Sequence, residues 1–291
     1  MAVPVPVDNL AVAPIAVLGA GVLIQVLLSR TLTGRGKGWA AVTATVVAAA
    51  TTAAWWPHLH RGGTYDLRLG SWDGPVTLTF HADGLSLLFA LMATGIGTAI
   101  LLYSVGYLAA DAAATRFYVL MQIFIAGLVL LVLAADLLLM YAAWEIVGLC
   151  SFLLVGFWYT DREAAAGARK VLVMTHGAGY ALLAAILLLY ARTGTTLWTD
   201  PRVAESFSTG VFTLMLIAAA AKSVQFPLHT WIPSAMAAPT PVSALLHAAV
   251  YVKAGVYLVA RMHSIAPWPH TWQVAVVTLG AVSMLIGVLF A

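Results

Sequence analysis

The sequence predicts an all-α fold, a polytopic bundle of transmembrane helices with about nine spans. Three observations predict it. Hydrophobic residues make up 62% of the 291 positions and charged residues only 9%, where soluble domains carry roughly a quarter charged residues. The mean hydropathy is +0.96, and the apolar residues fall into long runs, each near the roughly 20 residues that a helix needs to cross a bilayer. Those runs lack the apolar–polar alternation of barrel strands, and backbone polar groups in hydrocarbon must be satisfied within the segment, so the spans are helices.

In chain order the runs lie near residues 9–29, 38–56, 83–108, 116–135, 137–159, 168–191, 209–236, 241–261 and 271–291. The first has Asp8 as its only early charge and no basic flank or small-residue cleavage site, so it is expected to be a span rather than a cleaved signal peptide. Between the second and third runs, Pro57 to His81 contains Gly62, Gly63 and Gly70 and an alternating stretch from Pro75 to Phe80, which predicts a small external hairpin. Trp55, Trp56 and Trp72 flank it and are expected at headgroup depth. Pro227 and Pro233 break the seventh span, and Pro239 and Pro241 open the eighth, a second candidate for interruption. The ninth run is still apolar at Ala291, so the natural chain is expected to continue.

The net charge is +3, but the basic residues are scattered without a cluster, which argues against a nucleic-acid partner. Their distribution speaks to topology instead. Loops after odd-numbered spans hold Arg30, Arg35, Lys37, Arg116, Arg162, Arg169 and Lys170, and those after even-numbered spans hold Arg61, Arg68, Arg192, Arg202 and Arg261, seven against five. The positive-inside rule then places the N-terminus on the outer side of the cell membrane. The single Cys150 forms no intrachain disulfide. Without a phosphate-binding glycine loop, a cysteine cluster or a nucleophile–base motif, no cofactor, no metal and no chemistry on the chain itself are expected.

An ionisable side chain at the bilayer centre costs about 2.5–3.5 kcal/mol on insertion scales, so each one is a functional candidate. Glu145 lies more than two helical turns beyond Asp136, in a setting where desolvation favours its protonated form unless a cation faces it. Lys222 follows an alanine-rich run and immediately precedes the proline break, where changing surroundings shift a lysine between charged and neutral. Glu145 and Lys222 are therefore a candidate switchable pair. His247 and Lys253 lie about 9 and 18 Å into the eighth span from Pro241, and a histidine suits reversible protonation near neutrality. They point about 120° apart on an ideal helix, so sharing one path needs a local unwinding, for which Gly255 is the candidate.

Plainer readings stand beside these. The lesser alternatives are Glu145 and Lys222 as a static pair that sets registry, His247 as a core histidine donating to a carbonyl, and Lys253 as a residue that snorkels to the interface. His229 lies in the break, as a gate or as a structural group, and His176 is a further gate or relay candidate. A metal at His58, His60 and Asp66 is disfavoured by loose spacing, and a haem between His176 and His247 by lack of specificity.

Two segments carry a resemblance. Asp136 to Trp158, with Trp144, Glu145, Gly148 and Ser151, and Lys222 to His247, with Pro227, Trp231, Pro233, Pro239 and Pro241, resemble the antiporter-like subunits of respiratory complex I and of Mrp-type cation/proton antiporters. The looser resemblance runs from about Phe80 to the end. It implies an N-terminal unit of two spans and an external loop over 1–82, and a proton-translocating bundle over 83–291 that lacks a second symmetric half. It also implies that Glu145 and Lys222 form the charge pair and that His247 belongs to a relay. Ala238–Pro241, Val252–Gly255 and Asp83–Phe89 resemble the Mrp side of the long subunit. His176 and Gly179 depart from the arginine and aspartate usual in complex I.

The function expected from residues and resemblance together is that of a proton-translocating subunit of an Mrp-type sodium/proton antiporter, using the Glu145/Lys222 pair and a His247/Lys253 relay. The alternatives are a proton-pumping subunit of NADH-quinone oxidoreductase or a hydrogenase-linked complex, and a non-conducting scaffold. The expected partners are other integral membrane subunits, the lipid bilayer, protons and, on the antiporter reading, sodium.

Overall fold

The computed structural model describes residues 7–71, 77–249 and 251–290. Trp72 and the start of the alternating stretch, Pro75 and Val76, lie outside them. A helical turn at Val7–Val12 leads into α1 (Ala13–Leu27), followed by α2 (Gly34–Ala53), the short α3 (Trp56–Leu59), β1 (Tyr65–Ser71) and β2 (Thr77–Ala82). Then come α4 (Gly84–Tyr107), α5 (Ala114–Leu133), α6 (Leu137–Val155), α7 (Arg162–Thr193) and the short α8 (Pro201–Glu205). The chain continues with α9 (Thr209–Lys222), α10 (Trp231–Ala235), α11 (Thr240–Ser243), a π-helical turn at Ala244–Ala249, α12 (Lys253–Ile265) and α13 (His270–Phe290). All nine expected spans are present among the described residues. Seven are helical stretches long and apolar enough to cross a membrane, and the seventh and eighth are interrupted.

Helix starts follow local chemistry. Asp83 caps the amide of Ser86, Asp136 those of Leu138 and Leu139, Asp161 those of Glu163 and Ala164, and Ser208 that of Val211. Each such cap stabilises its helix by about 1 kcal/mol. The helix α7 ends where Gly194 takes a left-handed conformation, φ 69°.

Helices that are apolar all round gain little from the hydrophobic effect in lipid and associate through close packing at small residues. A Cβ at Gly97 would press into Ile125, and one at Gly127 into Val147, so these glycines seat α4 on α5 and α5 on α6. Around them α1 packs on α2 and α5, α2 on α4, α6 on α7, and α7 and α12 on α9. The helix α13 is largely uncovered; it meets the rest where Trp272 stacks on Phe212 and where the Ser283 hydroxyl accepts from the Phe226 amide at 3.0 Å.

The predicted hairpin forms as antiparallel β1–β2. It is fastened to the bundle by the fully buried Asp136, which accepts from the Thr77 amide and hydroxyl and from the Thr196 hydroxyl. Trp56 is exposed, but Trp55 is completely buried and donates to the Leu10 carbonyl at 3.0 Å. It therefore anchors the N-terminal turn. Arg261 is not a loop charge. It is 1% exposed inside α12, so it leaves the even-numbered side of the topology count.

Candidate functional site

The helix α9 stops at Lys222 because the chain cannot continue: Val224 takes φ 60°, a left-handed conformation that is strained for a β-branched residue, and Pro227 follows. The carbonyls freed by the break find other donors. Trp231 Nε1 donates to the Ala221 carbonyl at 3.0 Å, and the Gln225 amide to that of Ala220 at 2.8 Å. The Ser223 hydroxyl donates to the Val252 carbonyl at 2.6 Å, which ties the break in the seventh span to the break in the eighth.

Lys222 is 1% exposed. Its ammonium donates to the Trp144 carbonyl at 3.1 Å and sits 4.6 Å from the ring centroids of both Trp144 and Tyr251. An ammonium held by one carbonyl and two aromatic faces is stabilised without being neutralised. No carboxylate forms an ion pair with it among the described residues.

Glu145 is the ninth residue of the nineteen in α6. One of its oxygens, Oε2, meets His176 Nδ1 on α7, and the two side chains are 24% and 18% exposed. The structure thus brings Glu145 to His176 and leaves Lys222 one residue away, on the Trp144 carbonyl. Glu145 and Lys222 form no ion pair in this structure, although the Glu145 charge acts on the Lys222 ammonium. The reason is local: Gly179 leaves room for Glu145 Oε1, and Gly148 lies against the His176 ring, where a Cβ would stand 3.0 Å from it.

His247 lies in the π-helical turn, and neither of its buried ring nitrogens has a hydrogen-bond partner among the described residues. Lys253 is half-buried at the first residue of α12. Among the described residues the interruption between the two falls at Tyr251 and Val252, ahead of Lys253, and not at Gly255. Gly255 instead packs against Ser223 and the Ala219 carbonyl of α9. Beyond the break, His229 lies beside Phe226, ring centroids 5.7 Å apart, and lines a cavity of about 680 Å³ with Lys170 and Ser283. The hairpin histidines are engaged separately: His58 contacts the Thr64 carbonyl at 3.0 Å, and Asp66 pairs with His81 at 2.7 Å.

Two contributors were not read from the sequence. Tyr251 covers Lys222, and Trp144 supplies both carbonyl and ring. An aromatic next to a buried charge in the chain is the only signal that pointed to Trp144. Tyr251 had none, because its proximity to Lys222 is tertiary. A second buried cluster was also missed. Arg261 pairs with Asp83 at 2.7 Å, donates to Ser86 and Tyr257, and lies 4.3 Å from the Trp198 ring centroid.

Comparison with known proteins covers most of the chain. Residues 134–291 match the family described as NADH:quinone oxidoreductase/Mrp antiporter, transmembrane, and residues 71–118 match the N-terminus of chain 5 of NADH-ubiquinone oxidoreductase (complex I). The L subunit of the NADH-quinone oxidoreductase of Mycobacterium tuberculosis is 42% identical over 220 residues, 73% of this chain and 34% of the relative. The A subunit of the Na(+)/H(+) antiporter of Alkalihalophilus pseudofirmus is 39% identical over 219 residues, 73% of this chain and 27% of the relative. A chain in the structure of the Mrp complex from Dietzia sp. DQ12-45-1b superposes with a TM-score of 0.83 at 32% identity, over 96% of this chain and 31% of that one. The chain spans about a third of the length of the curated relatives it matches. With its interrupted seventh and eighth spans and these matches, this membrane-spanning chain belongs to the NADH:quinone oxidoreductase/Mrp antiporter transmembrane family.

Proposed function

We propose that this chain forms part of a proton-translocating subunit in a multisubunit assembly of the cell membrane, with its N-terminus on the outer side. The observation that carries the reading is Lys222, an ammonium buried at the end of a broken helix and held by a carbonyl and two rings. A charge so placed is costly, and its retention is explained by work that requires gaining and losing a proton. Glu145 follows Trp144, whose carbonyl holds the ammonium, and Tyr251, between His247 and Lys253 in the chain, lies over it. Protonation at any of these groups alters the stability of charge at its neighbours, and the two linked breaks are where hydration opens or closes the route.

On the finer question the reading is an Mrp-type sodium/proton antiporter, supported by the Asp83–Phe89, Ala238–Pro241 and Val252–Gly255 segments and by the likeness to the Mrp complex structure. The 42% identity to an L subunit supports the respiratory alternative. The test is proton flux in vesicles containing the full-length polypeptide in its complex. Glu145→Gln and Lys222→Ala are expected to assemble and to lose flux, and full flux in both would overturn the reading in favour of a scaffold. Flux driven by an imposed sodium gradient identifies the antiporter, and flux driven only by NADH identifies the respiratory complex.

A further inference from the structure

We propose that His176 is the proton-exchange partner of Glu145, delivering a proton to it and withdrawing one through the Nδ1–Oε2 contact between α7 and α6. The inference rests on the reading of Glu145 as a proton carrier and adds the group that loads it. Both residues lie mid-helix, Glu145 ninth of nineteen and His176 fifteenth of thirty-two. Two glycines make the meeting possible: a Cβ at Gly179 would overlap Glu145 Oε1, and one at Gly148 would crowd the imidazole edge at 3.0 Å.

A pair kept only for registry would have its polar atoms saturated, because each unmet one in a buried site is destabilising. Here one atom of each group is engaged. Glu145 Oε1 and His176 Nε2 are buried without a hydrogen-bond partner among the described residues, so each side chain has a second face for a further proton donor or acceptor. The surroundings supply few competitors. Tyr141 from α6 sits beside the carboxylate with Tyr180 from α7 near it, Lys222 comes from α9, and Tyr251 comes from the turn before α12. From α5 the contact is Gly127 against Val147, and α10 and α11 carry no titratable side chain.

The step balances in charge. With His176 neutral, its proton on Nδ1, and Glu145 ionised, the pair carries one negative charge. A proton arriving at the open Nε2 makes the pair neutral overall, and the Nδ1 proton then passes to Oε2, leaving an imidazole protonated on Nε2 beside a neutral acid. The pair has gained one proton and lost the negative charge that favoured the Lys222 ammonium, so release of the Lys222 proton toward Tyr251 and His247 becomes easier.

The experiment uses the full-length protein in its assembled complex in proteoliposomes, reading proton flux against pH together with infrared difference spectra of the protonated carboxyl band. His176→Gln keeps a donor of similar reach but does not titrate. It is expected to assemble, to lose flux by about a hundredfold, within the range for a positioned acid–base group, and to lose the limb of the pH profile that the imidazole contributes. His176→Arg, a permanent cation, is expected to hold Glu145 ionised and suppress its carboxyl band. Gly179→Ala displaces Glu145 without altering any titratable group, so it is expected to slow flux with an unchanged profile. Parental flux and profile in His176→Gln would overturn the proposal, as would a profile altered equally by Gly179→Ala. Glu145→Gln separates the two levels: if it conducts, the reading of Glu145 itself fails, and if it is dead while His176→Gln is normal, only the role of His176 fails.

Discussion

Neutralising either partner of the Asp83–Arg261 pair tests how strongly the start of α4 is held to α12. Asp83 accepts from Arg261 Nη1 at 2.7 Å and Nη2 at 3.0 Å, with the arginine side chain 1% and the aspartate side chain 27% exposed. Burial pushes the Asp83 carboxyl up, but the hydrogen bonds and charge of Arg261, with bonds from Ser86, outweigh it and hold the group at about 2 instead of 3.8. At about 1.4 kcal/mol per pH unit, that difference corresponds to about 2 kcal/mol of stability. Because the folded value lies below the ordinary one, the contribution is complete above about pH 4 and is lost as the pH falls through about 2. Asp83→Asn keeps the α4 cap but strands a buried guanidinium, at a cost of about 3–5 kcal/mol. Arg261→Met strands a carboxylate that is partly exposed, and costs about 2 kcal/mol. The assay is unfolding of the full-length protein in mixed micelles titrated with dodecyl sulfate, at pH 7 and pH 3, for both single variants and the double. A coupling energy below about 0.5 kcal/mol, or a parental stability no more acid-sensitive than that of Asp83→Asn, would refute the reasoning.

Two further outcomes follow from close contacts. Asp136→Ala removes the acceptor for the Leu138 and Leu139 amides and for the Thr77 and Thr196 groups. It is expected to lose about 3 kcal/mol in the same titration and to expose the hairpin to limited proteolysis, with Asp136→Asn intermediate. Gly255→Ala places a Cβ onto the Ser223 hydroxyl and the Ala219 carbonyl oxygen, and because the latter is backbone, α12 must move off α9. A destabilisation of about 1–3 kcal/mol is expected, measured by dodecyl sulfate titration.

Much of the fold was legible because lipid leaves the chain few options. Each apolar run had to be a helix, and Pro227 and Pro233 marked the seventh span as one that could not be continuous, whereas the interruption of the eighth at Tyr251 and Val252 lies ten residues beyond Pro241. The hairpin was legible from alternation between turn residues. Arg261 was misplaced because its position near a run end fits a loop equally well, and burial is decided by what packs over it. The candidate site residues were legible as costly charges in apolar runs, but their partners were not. Lys222 and Trp144 are 78 positions apart and Glu145 and His176 31 apart, so nothing local couples them.

By itself, then, the sequence determined that this is a membrane-spanning helical chain, that its seventh span is broken, and which ionisable side chains fall within apolar runs. Hydropathy and proline act locally, and that is the reason. Only the tertiary structure decided that Glu145 rests on His176, that Lys222 is held by Trp144 and Tyr251, and that the two breaks are joined through Ser223 and Val252. Those choices depend on how closely helices approach at Gly148, Gly179 and Gly255, a property of pairs of helices and not of any one run of residues.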